Sequence, residues 1–283
     1  MSREPVCWGV YRELAHSPGR ETDDAEILRE TAGELSRIGY SVALKSPDEL
    51  PESSDASVSP FLFVMCERVP VVERLAAWER RGARIVNRPA AIRNTDRERA
   101  IALFEQNRIA FPASAVVETA PAKAAFPGPC WIKRGDVHAT EAGDVSYAAD
   151  TAALVAGLAR LAERGIARAV LQEHVPGDLV KFYGVAGLAE EDERPSWFQW
   201  FYHRDQALSG HPCDPGTLAA AATKAAAALG LDIYGGDAIV SAGGRISIID
   251  VNAWPSFALF RAAAAEKIAA LLAARFAGVG ASR

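Results

Sequence analysis

Residues that build metal and redox sites are scarce in this chain. Four cysteines, Cys7, Cys66, Cys130 and Cys213, are scattered through 283 residues with no C-x-x-C pair. That spacing signals neither a zinc site nor a disulfide framework and leaves reduced, buried thiols. No long apolar run is present: Met1-Ser2-Arg3-Glu4-Pro5 leads into no apolar signal region, and the most apolar late stretch is broken by Glu266, Lys267 and Arg275. A cytoplasmic protein with no membrane partner is expected. Positive charge is not in excess, with 31 Lys and Arg against 36 Asp and Glu and a net charge of -5, so no field favours a nucleic-acid partner. The first strand runs into Arg12-Glu13-Leu14-Ala15-His16 and not into a G-x-G-x-x-G turn, which disfavours a dinucleotide-dependent dehydrogenase. No internal repeat at a fixed period is visible.

What is present is an ordinary globular composition, 49% hydrophobic and 24% charged, on a chain long enough for two or three packed α/β units. The first unit, residues 1–88, is expected to be a small parallel-sheet α/β domain reading strand, helix, strand, helix, strand. Its strands, Val6 to Tyr11, Pro60 to Cys66 and Arg84 to Val86, are apolar without alternation, as in a sheet covered on both faces. Asp23 with Glu26 suggests a capping box for a helix carrying Ile27, Leu28, Thr31, Leu35 and Ile38 and stopped by Gly39. Val72, Leu75 and Trp78 mark a second helix, and residues 46–59 form a loop. The second unit, 89–177, opens with a helix for which Thr95 and Glu98 offer another capping box. Strands at Cys130 to Lys133 and Arg168 to Glu173 then flank a helix capped by Asp150. The third unit, 178–283, has strands at Leu179 to Ala186 and Trp197 to His203. A helix capped by Asp214 with Pro215 at its first position and Gly230 at its end follows, then two strands and an Ala-rich helix.

The most informative segment is Ile233 to Pro255, two apolar runs separated by Gly243-Gly244, a pair suited to a two-residue hairpin turn. With that turn, Asp237 falls opposite Asp250 and Asn252 lies on the same face. Facing side chains of an antiparallel pair lie about 5 Å apart at Cβ, and two carboxylates there repel unless a cation sits between them. Hard oxygen donors of this kind suit Mg²⁺, with Mn²⁺ possible, which binds one or two carboxylates together with substrate phosphates. Asp237, Asp250 and Asn252 are therefore the expected metal ligands, and ATP the expected phosphate donor.

Gly235-Gly236-Asp237-Ala238-Ile239 with Ile249-Asp250-Val251-Asn252-Ala253-Trp254-Pro255 resembles the closing motif of the ATP-grasp superfamily. Val170-Leu171-Gln172-Glu173-His174-Val175 is similar to that superfamily's hinge strand, which implies that Gln172, Glu173, His174 and Val175 meet the adenine edge. Trp131-Ile132-Lys133 resembles its phosphate-binding lysine strand, and Arg97 stands at the spacing of its first basic nucleotide residue, where lysine is usual. The resemblance covers roughly residues 85–276 and implies an α+β grasp: the N-terminal domain followed by a two-lobed fold, with a lid-bearing lobe at 89–177 and a metal-bearing lobe at 178–283. Two branches are similar, the ribosomal-protein glutamate ligases and the inositol trisphosphate 5/6-kinases, whose Phe-Lys-x-Tyr strand resembles Lys181-Phe182-Tyr183-Gly184. The segment Arg134 to Asp144 departs from the usual glycine-rich lid.

Other residues stand as candidates beside bland alternatives. Lys133 ends an apolar strand, where a nucleotide phosphate would satisfy its charge. Lys181 interrupts another apolar strand and points to phosphate or acceptor unless it snorkels to solvent. His138, beside Thr140 in the lid, could contact the γ-phosphate or be a surface histidine. Arg204 could stabilise a transferring phosphoryl group. Asp178 could meet the ribose hydroxyls or simply form a turn after Gly177. Arg12 and Arg20 could hold an anionic acceptor, although a solvated loop explains them as well, and the aromatics of Trp197 to Tyr202 read mostly as core. The expected activity is an ATP-dependent ligase joining a carboxylate, through an acylphosphate, to an amine or thiol on a small-molecule or peptide acceptor. A small-molecule kinase and a non-catalytic ATP-binding module are the alternatives.

Overall fold

The computed structural model describes residues 6–52, 59–122, 126–135, 141, 143–189 and 192–277, and they form three four-stranded sheets. The first is wholly parallel in the order β2-β1-β3-β4, with β1 Val6–Val10, β2 Ser41–Lys45, β3 Phe61–Val64 and β4 Arg84–Val86. Strand β2 is absent from the sequence expectation. Its partly buried residues sit at a sheet edge, where an apolar run is short and diluted. Helix α1 (Glu21–Arg37) covers one face, and α2 (Val69–Glu79) and α3 (Pro89–Asn94) lie toward the other.

The second sheet is antiparallel in the order β5-β8-β6-β7, with β5 Ser114–Glu118, β6 Cys130–Arg134, β7 Val145–Ala148 and β8 Arg168–Glu173. Helix α4 (Arg97–Gln106) precedes it and α5 (Thr151–Glu163) packs on one face. The third sheet is antiparallel in the order β10-β9-β11-β12, with β9 Asp178–Val185, β10 Trp197–Tyr202, β11 Ile233–Ser241 and β12 Arg245–Ala253. Helix α6 (Pro215–Leu229) lies between β10 and β11, and α7 (Arg261–Ala277) follows β12.

Several helix ends follow local chemistry. Asp150 accepts the Ala153 N–H at 2.8 Å, Asp214 accepts that of Thr217 at 2.8 Å, and Gly230 closes α6 at φ 79°. The two expected capping boxes do not form. Helix α1 starts at Glu21, so Asp23 sits inside its first turn and pairs with Arg261 at 2.8 Å. Thr95 closes α3 instead, its hydroxyl donating to the Ile92 carbonyl at 2.7 Å. In both cases a tertiary or preceding-helix partner captures the side chain.

The apolar packing joins the first and third sheets. One cluster combines Val10, Leu62 and Val64 with Val180, Phe182 and Val251, and with Leu75 and Leu229 of the helices. A second joins Cys7, Phe63 and Leu35 to Tyr183, Trp254 and Leu272. Asn87, fully buried after β4, donates to the Ile233 carbonyl at 2.7 Å and accepts the Asp232 and Ile233 N–H groups at 2.9 Å each, pinning the start of β11. The second sheet has its own cluster with α5, built from Ile132, Leu154, Leu158, Leu161 and Leu171.

Candidate functional site

The hairpin that carries the acidic residues reaches the expected pairing by a different route. Its turn spans three residues, Ala242 to Gly244, with Gly243 and Gly244 at φ 75° and 73°. Ser241 therefore faces Arg245 and Ala238 faces Ile248. Continued unbroken, that register would put Asp250 on the opposite face from Asp237. The register shifts between Ala238 and Asp237, leaving Ile249 as the extra residue of a bulge. The Ile248 N–H turns away to the Ala110 carbonyl at 2.8 Å, and Asp237 then faces Asp250 while Gly235 faces Asn252.

Strand β9 completes the row, because Lys181 faces Asp237 from the other side. Its ammonium bonds the Asp237 carboxylate at 2.7 Å, with both side chains 31% exposed into the cleft. The glycines beside Asp237 are required by close approach: a Cβ on Gly236 would lie 2.1 Å from the Asp250 carbonyl oxygen. Two carboxylates and one amide give hard oxygen donors on one face, short of a full six-coordinate shell. That composition fits Mg²⁺, whose remaining positions are filled by phosphate oxygens and water. Among the described residues no three His, Cys, Asp or Glu side chains form a self-sufficient cation site.

The second sheet supplies the opposing wall. Lys133 and Gln172 project from its cleft side, and the Lys133 ammonium donates to Gln172 Oε1 at 2.7 Å. Burial pulls the Lys133 pKa below the ordinary lysine range; attraction to Asp250 and Asp237 opposes the shift and repulsion from Arg97 adds to it. Arg97, at the start of α4, donates to the Arg134 carbonyl at 2.7 Å. A gap between the walls is lined by Arg97, Lys133, Val170, Gln172, Ile249 and Asp250. The segment expected at the adenine edge spans the end of β8 and the residues after it: Glu173, the last residue of β8, accepts the Ala113 N–H at 3.3 Å, and His174 Nδ1 accepts from Trp131 Nε1 at 3.2 Å. Val175 follows His174 in the same loop, partly buried.

A wider cleft of about 860 Å³ opens over the acidic row and is bounded by Arg12, Arg20, Lys181, Arg204, Asp250 and Asn252. Arg204 is exposed at its rim. Asp178, for which the sequence leaves the ribose hydroxyls and a turn after Gly177 both open, is fully buried, and its carboxylate accepts the N–H groups of Ser209 and His211. Burial alone would raise its pKa; the N–H groups of Ser209, His211 and Gly210 outweigh that and hold it below the usual carboxylate range. Asp178 thus anchors the loop after β10 and does not face the cleft. Gln206, which no sequence signal marks, assists by accepting the Leu179 N–H at 2.8 Å and donating to the Leu179 carbonyl at 2.6 Å. Arg12 is no solvated loop residue but is buried between Asp24 and Glu67. The aromatics of β10 are all partly buried against the two shared cores. His138 and Thr140 lie outside the described residues. No described helix is long and apolar enough to cross a membrane.

No protein-family model and no curated protein matches the chain. Solved structures match along almost its full length. A RimK domain ATP-grasp protein from Sphaerobacter thermophilus DSM 20745 shares 18% identity at TM-score 0.65, covering 95% of this chain and 97% of that one. D-alanine–D-alanine ligase from Bacillus anthracis, complexed with ATP, shares 12% identity at TM-score 0.71, covering 96% and 97%. ATP-grasp ligase PsnB, complexed with minimal precursor, Mg and ADP, shares 17% identity at TM-score 0.64, covering 96% and 97%. The chain has the ATP-grasp fold.

Proposed function

We propose that this ATP-grasp chain is an ATP-dependent ligase that activates an acceptor carboxylate as an acylphosphate and joins it to an amine. The observation that carries this reading is the row Lys181, Asp237, Asp250 across three strands, with Asn252 beside it, facing Lys133 of the second sheet. In the proposed division of labour, residues 1–88 help enclose the acceptor, 89–177 bear the lid, and 178–283 bear the metal site. Asp237, Asp250 and Asn252 would hold Mg²⁺, which neutralises phosphate charge when bound. Lys133 and Arg97 would hold phosphate oxygens, and the hinge from Gln172 to Val175 the adenine edge. Lys181 would pass from Asp237 to the transferring phosphoryl group, with Arg204 at the acceptor side.

The chemistry needs no nucleophilic side chain. A carboxylate oxygen of the acceptor attacks the γ-phosphorus, the bond to the β-phosphate oxygen breaks, and ADP leaves. The amine then attacks the acyl carbon, phosphate departs, and the amine proton passes to solvent or base. Three solved structures of this fold are of ATP-grasp ligases or carry ligase-type names, and PsnB was crystallised with a precursor peptide, which supports a small-molecule or peptide acceptor. The kinase alternative rests on Lys181-Phe182-Tyr183 and on His138: Phe182 is packed in one core, where packing alone explains it, Tyr183 packs in the other while also lining the cleft, and His138 lies outside the described residues.

Hydroxylamine trapping tests the reading. With Mg-ATP and pools of candidate carboxylates, a ligase releases phosphate and forms a hydroxamate in the same ratio. A stable phosphorylated product with no hydroxamate would assign a kinase instead.

A further inference from the structure

The metal-bearing strand ends in a strained turn held from outside its own sheet. Trp254, the residue after β12, is fully buried at φ 42°, a left-handed conformation that a bulky side chain adopts only when its surroundings impose it. Its N–H bonds the Ile233 carbonyl at 3.1 Å. Pro255 then folds back so closely that a Cβ on Gly235, the register partner of Asn252, would lie 2.6 Å from the proline ring.

Arg12, from the loop after β1, closes this turn. Its Nη2 donates to the Trp254 carbonyl at 2.7 Å and to the Ala253 carbonyl at 3.2 Å. Its Nε lies 3.1 Å from Asp24 Oδ2, and Nη1 pairs with Glu67. Ser17 donates to the same Asp24 oxygen at 2.6 Å. The guanidinium side chain is 10% exposed. A planar fork is needed here, since one cation must serve two carboxylates and two carbonyls in different directions.

We propose that Arg12 is a positioning residue for Asn252: the first sheet, through this guanidinium, fixes the turn that aims the amide ligand at the divalent cation. The inference rests on the metal assignment above. Residues that orient a metal ligand without touching the metal typically change its affinity by about 10- to 100-fold when altered.

The test titrates Mg²⁺ at fixed AMPPNP, using the full chain and calorimetry. Arg12→Lys keeps the charge beside Asp24 and Glu67 but loses the fork. It should raise the Mg²⁺ concentration for half-maximal binding about tenfold or more, while metal-free AMPPNP affinity stays within about twofold. An unchanged Mg²⁺ demand in the folded variant overturns the proposal. So does an equal loss of metal-free and metal-dependent binding, which would mean general disruption of the cleft. Should Arg12→Lys not fold, the triple variant Arg12→Met, Asp24→Asn, Glu67→Gln removes the guanidinium together with the two carboxylates it pairs with and gives the same readout. Asp250→Asn, run in parallel, separates the two levels. If Asp250→Asn retains wild-type Mg²⁺ dependence, the metal assignment itself fails; if it loses that dependence and Arg12→Lys does not, only the role of Arg12 fails.

Discussion

The two walls of the cleft are built differently. The wall bearing Asp237, Asp250 and Asn252 belongs to a sheet that shares two apolar cores with the first sheet and is pinned further by Asn87 and Arg12. The wall bearing Lys133 and Gln172 stands on a sheet whose core with α5 is separate, tied to the rest through contacts such as Arg97 to the Arg134 carbonyl and Arg168 to Glu98 at 3.0 Å. A site that opens for nucleotide and closes for chemistry, as the proposed ligase would, needs such an inequality. Under the proposed function, the residues that would set metal geometry are fixed by many elements, and those that would follow the phosphates ride on the sheet whose core is separate.

The sharpest way to break this comparison is at the acidic row. Asp250→Asn should weaken Mg-ATP binding by about a hundredfold, given what a bond to a charged group contributes, as read by calorimetry. Its thermal midpoint should hold or rise, because one of two facing carboxylates has been neutralised. A fall in both would mean that Asp250 is structural.

Core deletions probe the inequality itself. Leu158→Ala in α5 and Leu75→Ala in α2 each remove a side chain with no exposure, and each should cost about 3 kcal/mol. The consequences should differ. Leu158→Ala should lower hydrogen-exchange protection across 130–171 and leave α1 and α7 protected, whereas Leu75→Ala should lower it in the first and third sheets together. Loss of protection everywhere in both variants would show one cooperative unit.

Much of the first comparison could be seen in the residues. Buried strands, the Asp150 and Asp214 caps and Gly230 all follow from period and turn chemistry. What could not be seen came from distant partners. The bulge at Ile249 is accompanied by a bond from the Ile248 N–H to the distant Ala110 carbonyl, and nothing local announces it. The expected pairing held because a turn one residue longer and a bulge of one residue cancel. Edge strands β2, β5 and β7 were missed because an edge needs little apolar patterning. Arg12 looked like a loop cation because its partners, Asp24, Glu67 and Trp254, are spread along the whole chain.

A smaller effect sharpens the account of the second-sheet wall through Lys133. Burial lowers its pKa in the folded protein, so between that lowered value and the ordinary lysine value the unfolded chain holds the extra proton. Stability therefore rises with pH across that window. Lys133→Met should remove this rise and weaken ATP binding. In the wild type, ATP affinity should fall as pH climbs through the lowered value, since a neutral amine no longer attracts phosphate. An ATP affinity flat across the alkaline range would remove Lys133 from the phosphate site.

The smallest expected effect lies at the rim, where Asp178 anchors the loop carrying Arg204. Its folded pKa is depressed by backbone N–H groups that outweigh its burial. The sign follows: its contribution is complete above the unfolded carboxylate value and is lost as pH falls through the depressed folded value. Acidification should therefore free the 203–211 loop before it unfolds any of the three sheets, and fluorescence of Trp200, in the adjoining strand, should report the change. Asp178→Asn should produce the freed state at neutral pH, because an amide cannot accept the Ser209 and His211 N–H groups with both its heavy atoms. Metal-dependent nucleotide binding should be nearly unchanged in that variant, with catalytic turnover reduced through a misplaced Arg204. If turnover is unchanged when exchange shows the loop released, Arg204 has no part in the reaction, and the rim contributes only to the shape of the cleft.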